Sequence, residues 1–159
     1  MVVNKCVEQG VYVILMLTLQ KDHKPLKSTE LSSILGVSDS YLKKILRKMV
    51  LAGLIISSPG KEGGFTLARS VEEITVYDVY AALEGETCDL RMTGIGENIF
   101  RFGKDFTESE SKVLSALEHA NEAFGNELRK LYLSELVTEE HYAEGTVDFR
   151  ALMNKKRNH

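Results

Sequence analysis

The stretch from Leu31 to Gly53 constrains this chain more than any other. It reads as two helices joined by a tight turn. Leu31, Ile34 and Leu35 give the first helix an inward stripe. Gly36 can turn left-handed without a Cβ penalty, and Val37 plugs the turn into the core. Ser38 is placed to cap the next helix by accepting from a backbone N–H two or three residues on. Leu42, Ile45, Leu46 and Met49 then recur at i, i+3, i+4 and i+7, and Gly53 ends the helix. This is the layout of a helix-turn-helix, whose second helix enters the DNA major groove N-terminus first.

The outward face of the second helix carries Asp39, Ser40, Tyr41, Lys43, Lys44, Arg47 and Lys48, with no acid between Asp39 and Gly53. Lysine and arginine neutralise phosphates, and serine and tyrosine can also reach phosphate or base edges. A basic run on a helix face is more often simply solvated. The residues behind the second helix tip the balance toward nucleic acid. Residues 54–58 are short and β-branched, residues 59–64 form a turn by composition, and Phe65 and Leu67 alternate on one face. A hairpin directly behind a helix-turn-helix is a wing. Its tip offers Gly60, Lys61, Gly63 and Gly64, where glycines let the backbone lie close to a phosphate or groove wall. The glycines join two strands and open no helix, so neither P-loop nor dinucleotide chemistry fits.

Ahead of this unit, residues 4–20 read as a helix that is apolar nearly all round and therefore buried on most faces. Pro25 bars its continuation. Behind the wing, Thr75 and Asp78 are spaced as a capping box, and Ile74 and Val79 as a hydrophobic staple, for a helix running to Glu84 and stopped by Gly85. Residues 86–106 show no clear period and read as a linking loop. From Thr107 a long helix is expected, with Leu114, Leu117, Asn121, Phe124, Leu128 and Leu131 alternating spacings of three and four. That is an a/d seam, a stripe that a globular core helix can also show; its length, its place after a complete domain and the polar Asn121 at an a-type position point to a dimerisation helix. Gly125 weakens such a helix by about 1 kcal/mol against alanine. The expected organisation is a winged helix-turn-helix DNA-binding domain (1–85), a loop (86–106), a long dimerisation helix (107–136) and a partly ordered tail (137–159). The fold class is mainly α with a small β-hairpin wing.

Charge does not decide the partner. The formal net charge of the chain is −3; residues 1–84 hold 10 Lys/Arg against 9 Asp/Glu, and residues 85–159 hold 10 against 14. A DNA binder need only sort its charges, and the sorting here is on one helix. Cys6 and Cys88 are the only cysteines, which excludes a disulfide framework and a paired-cysteine zinc motif. His23, His119, His141 and His159 lie outside any metal-ligand spacing, and no motif with a catalytic mechanism is present. No enzyme, metal or cofactor is expected. The apolar run Val11 to Leu19 falls short of the about 20 residues that span a bilayer, and no cleavage site comes after it. The expectation is a cytoplasmic protein with no membrane partner.

Taken together these residues carry a resemblance. The apolar first helix, the helix-turn-helix, Gly63, Gly64 and Phe65 followed by Leu67, Ala68 and Arg69, and Glu72 to Val76 succeed one another; then come Ala82 to Gly85 and a long helix. Ser40, Tyr41 and Leu42, residues 45–48 and residues 52–55 match as well. Over roughly residues 1–136 the chain resembles the Rrf2 family of bacterial winged-helix regulators, the IscR/NsrR/CymR type. The resemblance implies a homodimeric transcription factor, usually a repressor, that binds double-stranded DNA at a near-palindromic operator. It implies that the long helix crosses to the other subunit, that Ser38, Ser40, Tyr41 and Lys43 face the major groove, and that the wing approaches the minor groove. An effector or partner protein would supply the signal. Two departures stand out. Pro59 replaces an arginine that many members place before Gly60, leaving Lys61 as the nearby cation. Cluster-binding members carry three cysteines ahead of the long helix, where this chain has Cys88 alone, so no iron–sulfur cluster is expected in the usual site. Cys88 is either a loop cysteine without a role or a candidate thiol sensor, although Glu86 and Asp89 work against the lowered pKa a sensor needs. Cys6 reads as a small buried hydrophobe. The alternative to a regulator is a winged-helix protein-interaction module that has lost DNA binding.

Overall fold

A computed structural model describes residues 5–85 and 105–157, together with residues 95 and 99. The first helix, α1 (Lys5–Leu19), buries Val7, Val13, Ile14, Met16, Leu17 and Thr18, and leaves Tyr12 exposed. Gly10 sets how closely it packs. A Cβ there would lie 2.7 Å from Leu83 Cδ1 and 2.8 Å from Val79 Cγ1, so only a glycine lets the backbone of α1 rest on these side chains.

The two helices expected from the sequence are α2 (Ser28–Leu35) and α3 (Asp39–Leu51). The Glu30 carboxylate accepts from the Lys27 N–H at 2.7 Å and closes the start of α2. Gly36 ends it in the left-handed conformation at φ 68°. The Ser38 hydroxyl accepts from the Tyr41 N–H at 3.3 Å, the N-cap anticipated for α3. All four periodic residues of α3 are inside: Leu42, Ile45, Leu46 and Met49.

The wing is an antiparallel hairpin of β1 (Ile55–Ser58) and β2 (Gly64–Leu67), in register from Ile55 opposite Leu67 to Ser58 opposite Gly64. Leu26, between α1 and α2, adds a third backbone partner. Its N–H donates to Phe65 O at 3.1 Å, and the Phe65 N–H donates back to Leu26 O at 2.8 Å. The wing is thereby tied to the helix-turn-helix from both of its sequence neighbours.

The capping box and staple before α4 (Val76–Glu84) are as expected. The Thr75 N–H donates to Asp78 Oδ2 at 2.7 Å and the Asp78 N–H to Thr75 Oγ1 at 3.2 Å, while Ile74 and Val79 are fully buried. The long helix, α5 (Asp105–Leu128), stops well short of residue 136. The cause is a competing set of backbone bonds. The Val76 N–H donates to Leu131 O at 3.0 Å and the Leu133 N–H to Ile74 O at 2.8 Å. This bridge places Leu133 fully in the core, and hydrophobic burial outweighs one more helical turn. Leu131 consequently leaves the helical stripe.

The tail is more structured than its composition indicates. It forms helices α6 (Glu139–Glu144) and α7 (Phe149–Arg157). Val147 bridges the end of α1: the Lys21 N–H donates to Val147 O and the Val147 N–H to Leu19 O, each at 2.9 Å. Arg150 bonds Pro25 O at 2.7 Å and pairs with Glu30 at 2.9 Å, fastening α7 to the start of α2. The loop from 86 to 104, with Cys88, lies outside the described residues apart from 95 and 99. Among the described residues no helix is long and apolar enough to cross a membrane.

Candidate nucleic-acid interface

Because the apolar stripe of α3 is buried against its own domain, the opposite face must look outward. Ser40, Lys44 and Arg47 recur at spacings of four and three directly across from that stripe, and all three are exposed. Tyr41 stands beside them at the leading turn, 38% exposed. Among the described residues Lys44 and Arg47 enter no ion pair. Two long, unpaired cations on a rigid helix can each neutralise a phosphate without first breaking an internal bond.

The other members of the expected set are placed differently. Lys43 is salt-bridged to Asp39 one turn back at 2.7 Å. The Lys43 ammonium and then the Ser28 hydroxyl hold the Asp39 carboxyl below the usual range. The pair is exposed and within one helix, so it is weak and open to exchange for a base or phosphate. Ser38 is occupied as the cap, with Ser40 Oγ 3.4 Å from its hydroxyl. Lys48 departs from expectation. It sits on the flank of the apolar stripe, and its Nζ donates to Leu83 O at 2.6 Å. It caps the C-terminal carbonyls of α4, where a cation is favoured, and so serves as a tether between α3 and α4 in this structure. The spacing carried the signal, since Lys48 is one residue from Met49 and lies off the line of Ser40, Lys44 and Arg47.

At the wing tip Gly60 (φ 99°), Lys61 and Glu62 are exposed. Gly63 is buried: a Cβ would fall 2.3 Å from Ser58 O and 2.5 Å from Pro59 O. Gly64 (φ 153°) lies under the Leu26 backbone, 2.7 Å from a Cβ position to Leu26 O. Gly63 and Gly64 let the hairpin close and dock, which leaves Gly60, Lys61 and Glu62 as the exposed part of the tip.

The stripe expected to form a dimerisation seam divides in two. Toward its C-terminal end α5 packs on α4 of the same chain. Phe124 stacks edge-on against Tyr80 with centroids 5.2 Å apart. Gly125 accommodates Tyr77, whose Cε2 would be 3.1 Å from a Cβ, and the Arg129 guanidinium lies 3.5 Å over the same ring. This close approach is the reason for a glycine that the sequence left unexplained. Leu128 and Asn121 are half-buried on this side. Further toward the N-terminus Leu114 is half-buried, whereas Leu117 and Val113 are 45% and 52% exposed. Leu131, past the helix end, is 39% exposed.

The thiol of Cys6 donates to Glu84 Oε1 at 2.8 Å. Burial first, and then the Glu84 carboxylate, push it up to about 11. It is thus half-buried and protonated, a poor nucleophile and a poor metal ligand.

The same architecture recurs in known proteins. The family model described as "Rrf2: Iron-dependent Transcriptional regulator" matches residues 3–139. A Lactococcus lactis protein named as an HTH-type transcriptional regulator, YffB, is 34% identical over 135 residues, 85% of this chain and 86% of its own length. YwgB of Bacillus subtilis, similarly named, is 44% identical over 93 residues, 58% of this chain and 60% of its own. Among solved structures, IscR of T. potens superposes with a TM-score of 0.61 at 20% identity, covering 95% of this chain and 96% of its own. CymR, the global cysteine regulator of B. subtilis, superposes with a TM-score of 0.56 at 19% identity, over 86% and 95%. These likenesses belong to transcriptional regulators and to no enzyme. Iron held as a thiolate-ligated cluster does not fit this donor set. A cluster takes four protein ligands, mostly thiolates. The chain has two cysteines, one of them the protonated partner of Glu84.

Proposed function

Because the chain belongs to the Rrf2 family of transcriptional regulators, we propose that it acts in the cytoplasm as a homodimeric repressor on a near-palindromic operator. The observation that carries this reading is the sorting of α3. Its apolar side is fully spent on the core, and Ser40, Tyr41, Lys44 and Arg47 stand free on the other. Lys44 and Arg47 serve phosphates. Ser40, Tyr41 and Lys43, nearer the leading end, serve base edges, with Lys43 exchanging Asp39 for guanine O6 and N7. Gly60 and Lys61 approach the backbone beside the groove. Two such helices related by a two-fold axis would sit about 34–36 Å apart, or a multiple of that. The exposed Val113 and Leu117 on α5 support self-association through that helix.

Binding titrations on operator and scrambled duplexes at several salt concentrations test the assignment. Arg47→Ala is expected to weaken both DNAs equally and to lower the salt slope by about 1. Lys43→Ala is expected to cost about 1–3 kcal/mol on the operator only. Lys48→Ala, by contrast, is expected to leave the salt slope unchanged, since its ammonium is held on Leu83 O. Equal losses from Lys43→Ala on both DNAs would remove its base-reading role. No change from either Arg47→Ala or Lys43→Ala would mean that α3 does not face DNA, and the interaction-module reading would then hold.

A further inference from the structure

Behind the wing, between α1, β2 and the tail, lies a cavity of about 410 Å³. That is within the size range of small-molecule sites, roughly 300–1,000 Å³. Its apolar wall is formed by Leu17, Leu67 and Val71. Of its polar groups, Thr18 Oγ1 donates to Ile14 O at 2.7 Å and His23 Nε2 lies 3.3 Å from Ala143 O, which leaves Arg69, Ser70 and Thr66 with spare donors. Arg69 lines it and spends Nη2 on Asp78 at 3.1 Å. The Arg69 Nε is buried and has no acceptor among the described residues. A guanidinium offers five N–H donors and no acceptor, and a buried donor left unmade is the feature that calls for a missing partner. Ser70 Oγ accepts from the Glu72 N–H at 3.3 Å, so its own proton remains available. Thr66, on the same wall, hydrogen-bonds no other described residue through its side chain. No carboxylate among the described residues lines the cavity.

We propose that this cavity binds a small organic carboxylate, with its charged end at Arg69 and a short apolar tail against Leu17, Leu67 and Val71. Donors without acceptors select an anion. The apolar wall selects a carboxylate with a hydrocarbon tail over inorganic phosphate. The occupant would rest on β2, so it would shift the wing that the hairpin forms. That coupling rests on the DNA-binding reading above, whereas the site itself does not.

Isothermal titration of the full chain without DNA tests the site, using isovalerate, hexanoate, isovaleramide and inorganic phosphate at one pH. Both carboxylates are expected to bind saturably, and the amide and phosphate at least tenfold more weakly. Arg69→Lys, which keeps the charge toward Asp78 but loses the planar fork, should weaken the acids about tenfold or more. Thr66→Val keeps shape and loses one donor, for roughly a fivefold loss. Should Arg69→Lys fail to fold, Thr66→Val and Ala143→Phe, which crowds the exposed rim, decide. An amide or phosphate that matches the acids, or acids that bind both folded variants like the wild type, overturns the proposal. So does the absence of binding by either acid. Operator titrations with and without isovalerate then separate the two ideas. Unchanged DNA affinity with acid bound removes the coupling alone, and absent DNA binding without acid removes the regulator reading alone.

Discussion

Helices α3 and α5 both carry an apolar stripe at spacings of three and four, yet the stripes meet different fates. That of α3 is consumed within its own domain: Leu42, Ile45, Leu46 and Met49 are all between 0% and 4% exposed. That of α5 is consumed only where Phe124, Gly125 and Leu128 lie on α4, and Leu117 and Val113 remain open. The periodic pattern says that a helix has an apolar side. It does not say whether the chain itself supplies what covers that side. For α3 the cover is intramolecular and the polar side is left to solvent, where the proposed DNA contact would form. For α5 an apolar half is left uncovered, and the proposed self-association would use it.

The comparison breaks most decisively in α3. Leu46→Ala removes a side chain 1% exposed and should cost about 2–5 kcal/mol. Urea unfolding with an unchanged slope would report that loss. A loss below about 1 kcal/mol would mean that this side of α3 is not a closed core.

The corresponding change in α5 should leave the fold and remove the assembly. Val113→Glu with Leu117→Glu puts two charges on the open half, where no described residue of the chain covers them. Sedimentation should show a monomer in place of the dimer, with far-UV circular dichroism preserved. Unaltered sedimentation would refute association through this half. Phe124→Glu would be a poorer test, because Phe124 packs on Tyr80 of its own chain and its loss would also damage the domain.

These contrasts also mark what could be read from residues alone. Much of what is local was legible, although the Asp39–Lys43 pair one turn apart was not read. Gly36 needed its left-handed turn, Ser38 its cap, and Thr75 with Asp78 a reciprocal box, because each depends on neighbours within four residues. What required distant partners was not. Helix α5 ends at Leu128 because Ile74 and Val76 compete for the backbone of residues 131–133. Lys48 reaches back to α4 because Leu83 O, 35 positions on, accepts from it. The tail acquires order because Val147 and Arg150 find partners more than a hundred residues upstream. The cavity at Arg69 is built from α1, the wing and the tail together, and no local pattern could announce it.

The smallest expected effect sharpens the division within α5 itself. Alanine is favoured over glycine in a helix interior by about 1 kcal/mol, so two opposite exchanges on one turn make a paired measurement. Ala123 is exposed on the side of α5 away from α4, and Ala123→Gly should cost about that amount. Gly125→Ala should fail to return it. The added methyl would meet Arg129 Nη1 at 3.0 Å and Tyr77 Cε2 at 3.1 Å, tighter than ordinary packing. The Tyr77 ring is held between Gly125 and the Arg129 guanidinium, so it has little room to retreat. The helical gain is then offset by displacement of the ring and weakening of its cation contact, worth roughly 0.5–1 kcal/mol at an exposed site. Thermal melts of the two variants decide the matter. If Gly125→Ala stabilises by as much as Ala123→Gly destabilises, α5 is not pressed against α4 at this point.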